Sequence, residues 1–322
     1  MTTLTDDTLP TTPGAVRDEM IVFVVMALLL ASVPFTGVYP FFVMQALCFA
    51  LLACAFNLLI GYGGLLSFGH AMFLGTAGYC SAHALKVWAL PPELGILVGV
   101  AGAFVLSIIT GYISIRRQGI YFSMITLALS QLLYFIYLQA PFTHGEDGIQ
   151  GIPQGHMFGL FDLSQPTVLY YVVLVGFLAG FLLIFRIINS PFGEVLKAIR
   201  ENEPRAISLG YRTDQYKFLA FVLSGPLAGF AGALKLFVAQ NASLTDVHWS
   251  MSGEVVLMTL VGGLGTIFGP VVGAFVIIAM QQYLAGFGQW VTVIQGSIFV
   301  ICVLTFRRGV IGEIAHYFRR SL

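Results

Sequence analysis

The chain has 322 residues, 58% hydrophobic and 9% charged, and its fifteen basic and fifteen acidic residues cancel to a formal net charge of zero. Soluble domains carry about 25% charged residues, so a soluble chain of this composition would expose large apolar patches and aggregate. Zero net charge also excludes the basic surface that nucleic-acid binding needs, and lipid is the solvent that remains for most of the chain.

A helix crosses the roughly 30 Å hydrocarbon core with about 20 apolar residues. The apolar runs are continuous, without the alternation of a barrel strand, which points to helices. Residues 1–19 are polar and acidic and lack the basic start of a signal peptide. They read as a disordered cytosolic tail. Apolar runs follow at 20–38 and 41–60, with a tight turn near Pro40. The glycine-rich stretch from Gly61 to His70 leads to a third run ending near His83. The linker 86–93 precedes a fourth run, 94–115, which Arg116 and Arg117 close. A fifth run, 119–140, comes before the long loop 141–165, and a sixth spans 167–187.

The polar stretch 186–217 then carries six of the fifteen basic residues: Arg186, Lys197, Arg200, Arg205, Arg212 and Lys217. A seventh run is 216–239. The loop 240–253 precedes a second glycine-rich passage, two last runs lie near 270–287 and 290–306, and 308–322 reads as a cytosolic C-terminal tail. Cys48, Cys54, Cys80 and Cys302 all lie in apolar segments without metal or disulfide spacing, so they read as small hydrophobes.

Basic residues near helix ends stay cytoplasmic. The polar stretch, Arg116 and Arg117, Arg307 and Arg308, and Arg319 and Arg320 therefore belong inside. The opposite loops, 86–93, 141–165 and 240–252, hold Glu93, Glu146, Asp147, Asp162 and Asp246 against one base, Lys86. Counting crossings back from the polar stretch puts the N-terminus in the cytosol. Between 252 and 307 the crossings must be odd in number, which three short helices or one broken segment would satisfy. Gly63 to Gly69 resembles Gly262 to Gly269 with one residue inserted, and the helices before them run in opposite directions, as in an inverted repeat. The expected fold is an all-α integral membrane protein: a polytopic bundle of about eight to ten transmembrane helices over 20–307, with broken helices and an inverted repeat.

Within the cytosolic loop 188–215, Ser190 reads as an N-cap with Pro191 at the first helical position. Val195, Leu196 and Ile199 fall on one face. Asn202 can cap a second short helix that begins with Glu203 and Pro204, and Gly210 supplies its stop. Two helices this short need a surface to lie on. The membrane face would serve for a solvated interfacial loop, and a groove on a soluble partner would serve equally.

Candidate pathway residues each carry two readings. Glu254 faces the pathway or caps a segment at its outer edge, and the cap is favoured. Lys235 and Arg186 read as snorkelling side chains. His70 lines a cavity or is structural. Asn57 and Ser67 can bridge helices, at about 0.6 kcal/mol per hydrogen bond. Gly63, Gly64, Gly69, Gly262, Gly263, Gly265 and Gly269 either pack helices tightly or break them beside the pathway, where bare backbone suits a solute's carboxylate or amine.

Several strings carry a family resemblance. Ser190-Pro191-Phe192-Gly193, then Ala198 through Arg200, Glu201, Asn202, Glu203 and Pro204, then Leu209-Gly210, resembles the cytoplasmic coupling loop of permeases in bacterial branched-chain amino-acid ABC importers. Asn57 to His70, Gly119 to Thr126, Thr143 with Gly148 to Pro153, and Gly262 to Pro270 are similar to further signatures of that family in the expected order, covering about 40–310. The long outer loop resembles the longer permease of the pair. The general coupling motif, Glu-Ala-Ala, three residues, Gly, is not kept: Glu203-Pro204-Arg205-Ala206 is followed by Gly210 seven residues after Glu203.

The resemblance implies an inner-membrane subunit sharing the pathway with a second permease. Two cytosolic ATPases would grip residues 190–210, including Arg205, and an extracytoplasmic binding protein would deliver solute. It implies no cofactor or catalysis in this chain, since ATP would sit on partners; the chain has no GxxxxGK[ST] loop of its own. The solute would be a branched-chain amino acid or a related urea, amide or aromatic acid. A secondary transporter would show more ionisable groups within its helices. A membrane enzyme finds no catalytic or metal spacing among His70, His83, His144, His156, His248 and His316. A channel is the remaining alternative.

Overall fold

The computed structural model describes residues 13–35, 37, 39–284, 286, 288, 290–305 and 309. Residues 1–12 of the expected N-terminal tail and all of the expected C-terminal tail but Gly309 lie outside these residues, as do Arg307, Arg308, Arg319 and Arg320 and the side chain of Cys302, whereas 13–19 are helix and not the expected disordered tail. Helix α1 (Pro13–Ser32) begins before the expected boundary at residue 19. Then come α2 (Pro40–Asn57), α3 (His70–Lys86), α4 (Pro92–Ser114) and α5 (Ile120–Gln139). Three two-residue strands decorate the loop after α5: β1 (Ile149–Gln150), β2 (His156–Met157) and β3 (Phe161–Asp162). Helix α6 (Pro166–Ile188), the short α7 (Pro191–Glu201) and α8 (Glu203–Ser208), and the long α9 (Thr213–Ala239) follow. Strand β4 (Asn241–Ala242), α10 (Trp249–Gly262), α11 (Gly269–Leu284) and α12 (Trp290–Thr305) complete the described chain.

The protein is an all-α polytopic membrane protein. Among the described residues five helices are long and apolar enough to cross a membrane: α2 with its extension to Tyr62, α4, α5, α6 and α9. The last third supplies three short helices, α10, α11 and α12, the first of the two arrangements expected there. Lipid-facing side chains are apolar, as on α4, where Leu97, Val105, Ile109 and Tyr112 are exposed.

The core is α9 packed among α2, α3 and α4. Small residues let these backbones approach, as lipid-immersed helices require. Gly225 lies against Ser107, Gly229 against Ala103, and Gly232 against the backbone of Leu74. Pro226 sits inside α9. It has no N–H for the carbonyl of Val222, and the Ser107 hydroxyl, which donates chiefly to Phe104 O at 2.7 Å, lies 3.4 Å from that carbonyl.

The loops sort into two groups, as the charge count predicts. Strand β1 pairs antiparallel with β4, Lys86 Nζ donates to Gln150 O at 2.8 Å, and Glu93 accepts from the Phe158 amide at 3.3 Å. These contacts bind together the three loops expected outside. At the other ends of the helices, Gln118 of the α4–α5 turn donates to Glu203 at 3.1 Å, joining two loops expected inside.

A Cβ added at Gly232 would lie 2.9 Å from the Leu74 carbonyl carbon and 3.0 Å from its Cα. Gly232→Ala is therefore expected to push α3 and α9 apart and lower stability by about 1–3 kcal/mol, read as an earlier unfolding transition in detergent.

Candidate coupling and pathway site

Helix α2 does not stop cleanly. Leu58–Tyr62 form one wide π turn, and the chain then runs without regular structure to α3. A second break separates α10 from α11. The wide turn that ends α2 meets the second glycine-rich loop, 263–268, where Gly61 and Gly265 lie backbone to backbone. Asn57 is 2% exposed. Its amide donates to Thr266 O at 2.9 Å, and its carbonyl accepts from the Gly265 amide at 3.1 Å. One side chain thus satisfies a donor and an acceptor of broken backbone, which has no water to turn to at this depth.

Arg200 of α7 enters the same junction. Its guanidinium donates to the Gly61 carbonyl. Gly64 (φ +67°) and Gly265 (φ +77°) both lie against it: an added Cβ would stand 3.2 Å from Arg200 Cγ at the first and 2.9 Å from Nη1 at the second. Positive φ and close approach together require glycine at both positions. One turn earlier, Lys197 Nζ lies 5.9 Å from the centre of the Tyr62 ring. Helix α7 therefore grips the end of α2 while touching the second loop.

The two short helices form as expected. Leu196 and Ile199 are buried. The Asn202 side chain accepts from the Arg205 amide at 3.1 Å, capping α8, and Gly210 ends that helix with φ 92°. Ser190 differs from expectation: its hydroxyl donates backward to Ile187 O at 2.6 Å, at the end of α6, and makes no cap bond to α7. Pro191 opens α7, Phe192 stacks on Tyr216 at 5.8 Å, and Gly193 fits against the Ile188 carbonyl. Glu203 turns inward, accepting from Gln118 and pairing with Lys217 of α9. The Lys217 side chain is 5% exposed, so this pair is the anchor of α8 on α9. Glu201, Arg205, Ile207 and Leu209 remain exposed.

Among the pathway candidates, Ser67 accepts from the Gly69 amide at 3.2 Å, while Phe68 N donates to Thr126 Oγ1 at 3.1 Å. These bonds stitch the first loop to α5. Gly69 lies against the Thr126 carbonyl. Gly63 ends the wide turn, and Gly263 (φ 125°) ends α10. Gly262 and Gly269 touch backbone to backbone across the second break. His70 is fully buried, 3.2 Å from the Ser224 hydroxyl, with Phe56, Phe73 and Phe221 edge-on to its ring. Its Nδ1 is buried without a hydrogen-bond partner. Glu254 does not cap α10; His248 does, accepting from the Ser250 amide at 3.3 Å. Glu254 instead accepts from Gln281 of α11 at 3.0 Å. Lys235 does not snorkel: it pairs with Asp246. Among the described residues no group of three or more His, Cys, Asp or Glu is placed to hold a metal ion.

The family profile described as "Branched-chain amino acid transport system / permease component" matches residues 38–304. The high-affinity branched-chain amino acid transport system permease protein LivM of Escherichia coli K12 is 25% identical over 293 residues, 82% of this chain and 67% of the relative. The same protein of Salmonella typhimurium LT2 is 26% identical over 324 residues, 89% of this chain and 74% of its own. The autoinducer 2 import system permease protein LsrC of Yersinia pseudotuberculosis is 28% identical over 197 residues, 59% of this chain and 52% of its own. No solved structure matches.

The Glu203–Lys217 pair predicts an asymmetric cost. Glu203→Ala leaves an ammonium buried without its carboxylate and should destabilise by about 3–5 kcal/mol. Lys217→Met leaves Glu203 with Gln118 and 21% of its side chain in solvent, and should cost less. Thermal unfolding of the two variants in one detergent checks the order.

Proposed function

We propose a function from one premise: this chain belongs to the family of permease components of branched-chain amino acid transport systems. It is a multi-pass membrane permease of ABC-type transport. Our reading goes further. The chain forms part of the pathway of an ATP-driven importer in the bacterial inner membrane, with both termini in the cytosol. It carries a branched-chain amino acid or a related small polar solute. A second permease completes the pathway, two cytosolic ATPases dock on residues 190–210, and a soluble binding protein delivers solute outside.

The observation that carries this reading is the Arg200 junction. A cytosolic element can drive a membrane pathway only if it touches the parts that move. Helix α7 touches both helix breaks through one guanidinium. Helix α8 presents Ile207 (56% exposed) and Leu209 (70% exposed) beside Arg205. An apolar knob with a flanking charge is what a helix-in-groove contact uses. An open groove of about 600 Å³ between α7 and the start of α9, lined by Phe192, Val195, Tyr211 and Tyr216, adds receiving surface. Relatives carrying the words branched-chain amino acid in their names support the solute class.

Docking and transmission should separate by mutation. Leu209→Asp is expected to lose the ATPase from a pull-down of the detergent-solubilised complex while keeping the second permease. Arg200→Ala should retain the ATPase and lose at least tenfold in ATP-driven uptake into proteoliposomes. A wild-type chain that comes down alone and moves solute without ATP would instead be a secondary transporter or channel.

A further inference from the structure

Residues 241–252 leave the outer surface and descend into the bundle. Strand β4 still pairs with the outer loop through β1. Five residues later the Val247 carbonyl accepts from Ser130 in the middle of α5, at 3.3 Å, and Val247 is fully buried. Ser252 accepts from the Ala71 amide at 2.9 Å, capping the start of α3. Between these points Asp246, 7% exposed, pairs with Lys235 in the last part of α9. The Lys235 ammonium also lies over the face of Phe49, with Nζ 5.4 Å from the ring centre. Glu254, in the second turn of α10, is held by Gln281 and lies within electrostatic reach of both Lys235 and Asp246.

Two carboxylates thus share the neighbourhood of one interior ammonium. A buried cation does not tolerate losing its counter-charge. The descending segment can move away from α9 only if Lys235 finds another acceptor, and Glu254 is the acceptor at hand.

We propose that Lys235 is the pivot of a charge-exchange gate, paired with Asp246 in the packing seen here and with Glu254 when residues 241–248 swing outward. Glu254 and Asp246 are then positioning residues for opening on the outer side. The gate has a mechanical connection to the opposite face: α9 carries Lys217, anchored by Glu203 of α8, and Lys235 eighteen residues further on, about 27 Å along one helix. Only this last connection rests on the importer reading.

Two experiments test the exchange. The first uses the full chain alone in lipid nanodiscs, with spin labels at Leu160→Cys and Thr245→Cys and the native cysteines replaced, and needs no ATPase or solute. Asp246→Asn is expected to add a longer label–label distance, and adding Glu254→Gln to remove most of that population. A single unchanged distance in Asp246→Asn would overturn the gate. The second measures ATP-driven uptake by the reconstituted complex carrying the swap Lys235→Asp with Asp246→Lys. The swap restores a pair but sets an aspartate where the shared cation stood. Melting near the wild-type temperature with at least tenfold slower uptake is expected, because the swapped segment carries the cation away with it. Full recovery of uptake would make the pair merely structural and overturn the proposal. A wild-type complex without ATP-driven uptake would count against the importer reading, and the distance measurement would still decide the gate.

Discussion

Two helices break inside this bundle, and the polar backbone they expose must be satisfied by protein. In water a broken helix costs little, because solvent takes up the free groups. In a membrane each unsatisfied group costs several kcal/mol. The fold meets that constraint by bringing the two breaks together. Asn57, at the end of α2, holds a donor and an acceptor of the second loop through one amide, Ser123 donates to Leu66 O at 2.6 Å, and Ser252 caps α3 from the first turn of α10. The glycines that allow the breaks are also what leave room for these partners. A chain that closes its breaks on each other has joined its two halves at one point.

That point is where α7 lies. Arg200 supplies a charged donor to a carbonyl that neither loop satisfies. The hydrogen bonding of the junction therefore depends on where α7 sits. That helix is short and solvent-bordered, and held by the buried face of Leu196 and Ile199 rather than by a long packed length. Charge-poor membrane proteins place their few ion pairs where loss is costly. Among the described residues, Lys197 and Glu194 pair within α7, one pair ties α8 to α9, and one ties the descending segment 241–248 to the same helix. Most of α9 is buried between the last two, which makes it a stiff rod rather than a flexible tether.

Much of this was legible in the sequence, because lipid leaves few options. Apolar run length located the long helices, and basic residues sorted the loops into the two groups that the contacts now join. Asn202 and Gly210 behaved as cap and stop, since both act through their own local backbone. The misreadings are all tertiary. Ser190 has the residue type and place of a cap, but the carbonyl of Ile187 competes for its hydroxyl. Glu254 stands where a cap would stand, and His248 takes the role because the chain turns into the bundle one residue before α10 begins. Lys235 looked free to snorkel because nothing local shows that residues 241–248 fold back beside it. The usable signal was scarcity: an ammonium near a helix end in a chain with so few charges, and an aspartate eleven residues on, should first be tested as a pair.

The meeting of the two helix breaks was out of reach for a different reason. Glycine-rich membrane sequence serves both tight packing and helix breaks, and here the same residues do both. Gly262 and Gly269 pack backbone on backbone, while Gly64 and Gly265 hold positive φ beside Arg200. What separates the two uses is a polar neighbour able to cap the exposed backbone. Asn57, five residues before the first glycine-rich turn closes, is that neighbour. An apolar residue at position 57 would leave the second loop without either bond. The identity of that one buried amide decides whether the glycines make a contact or a joint.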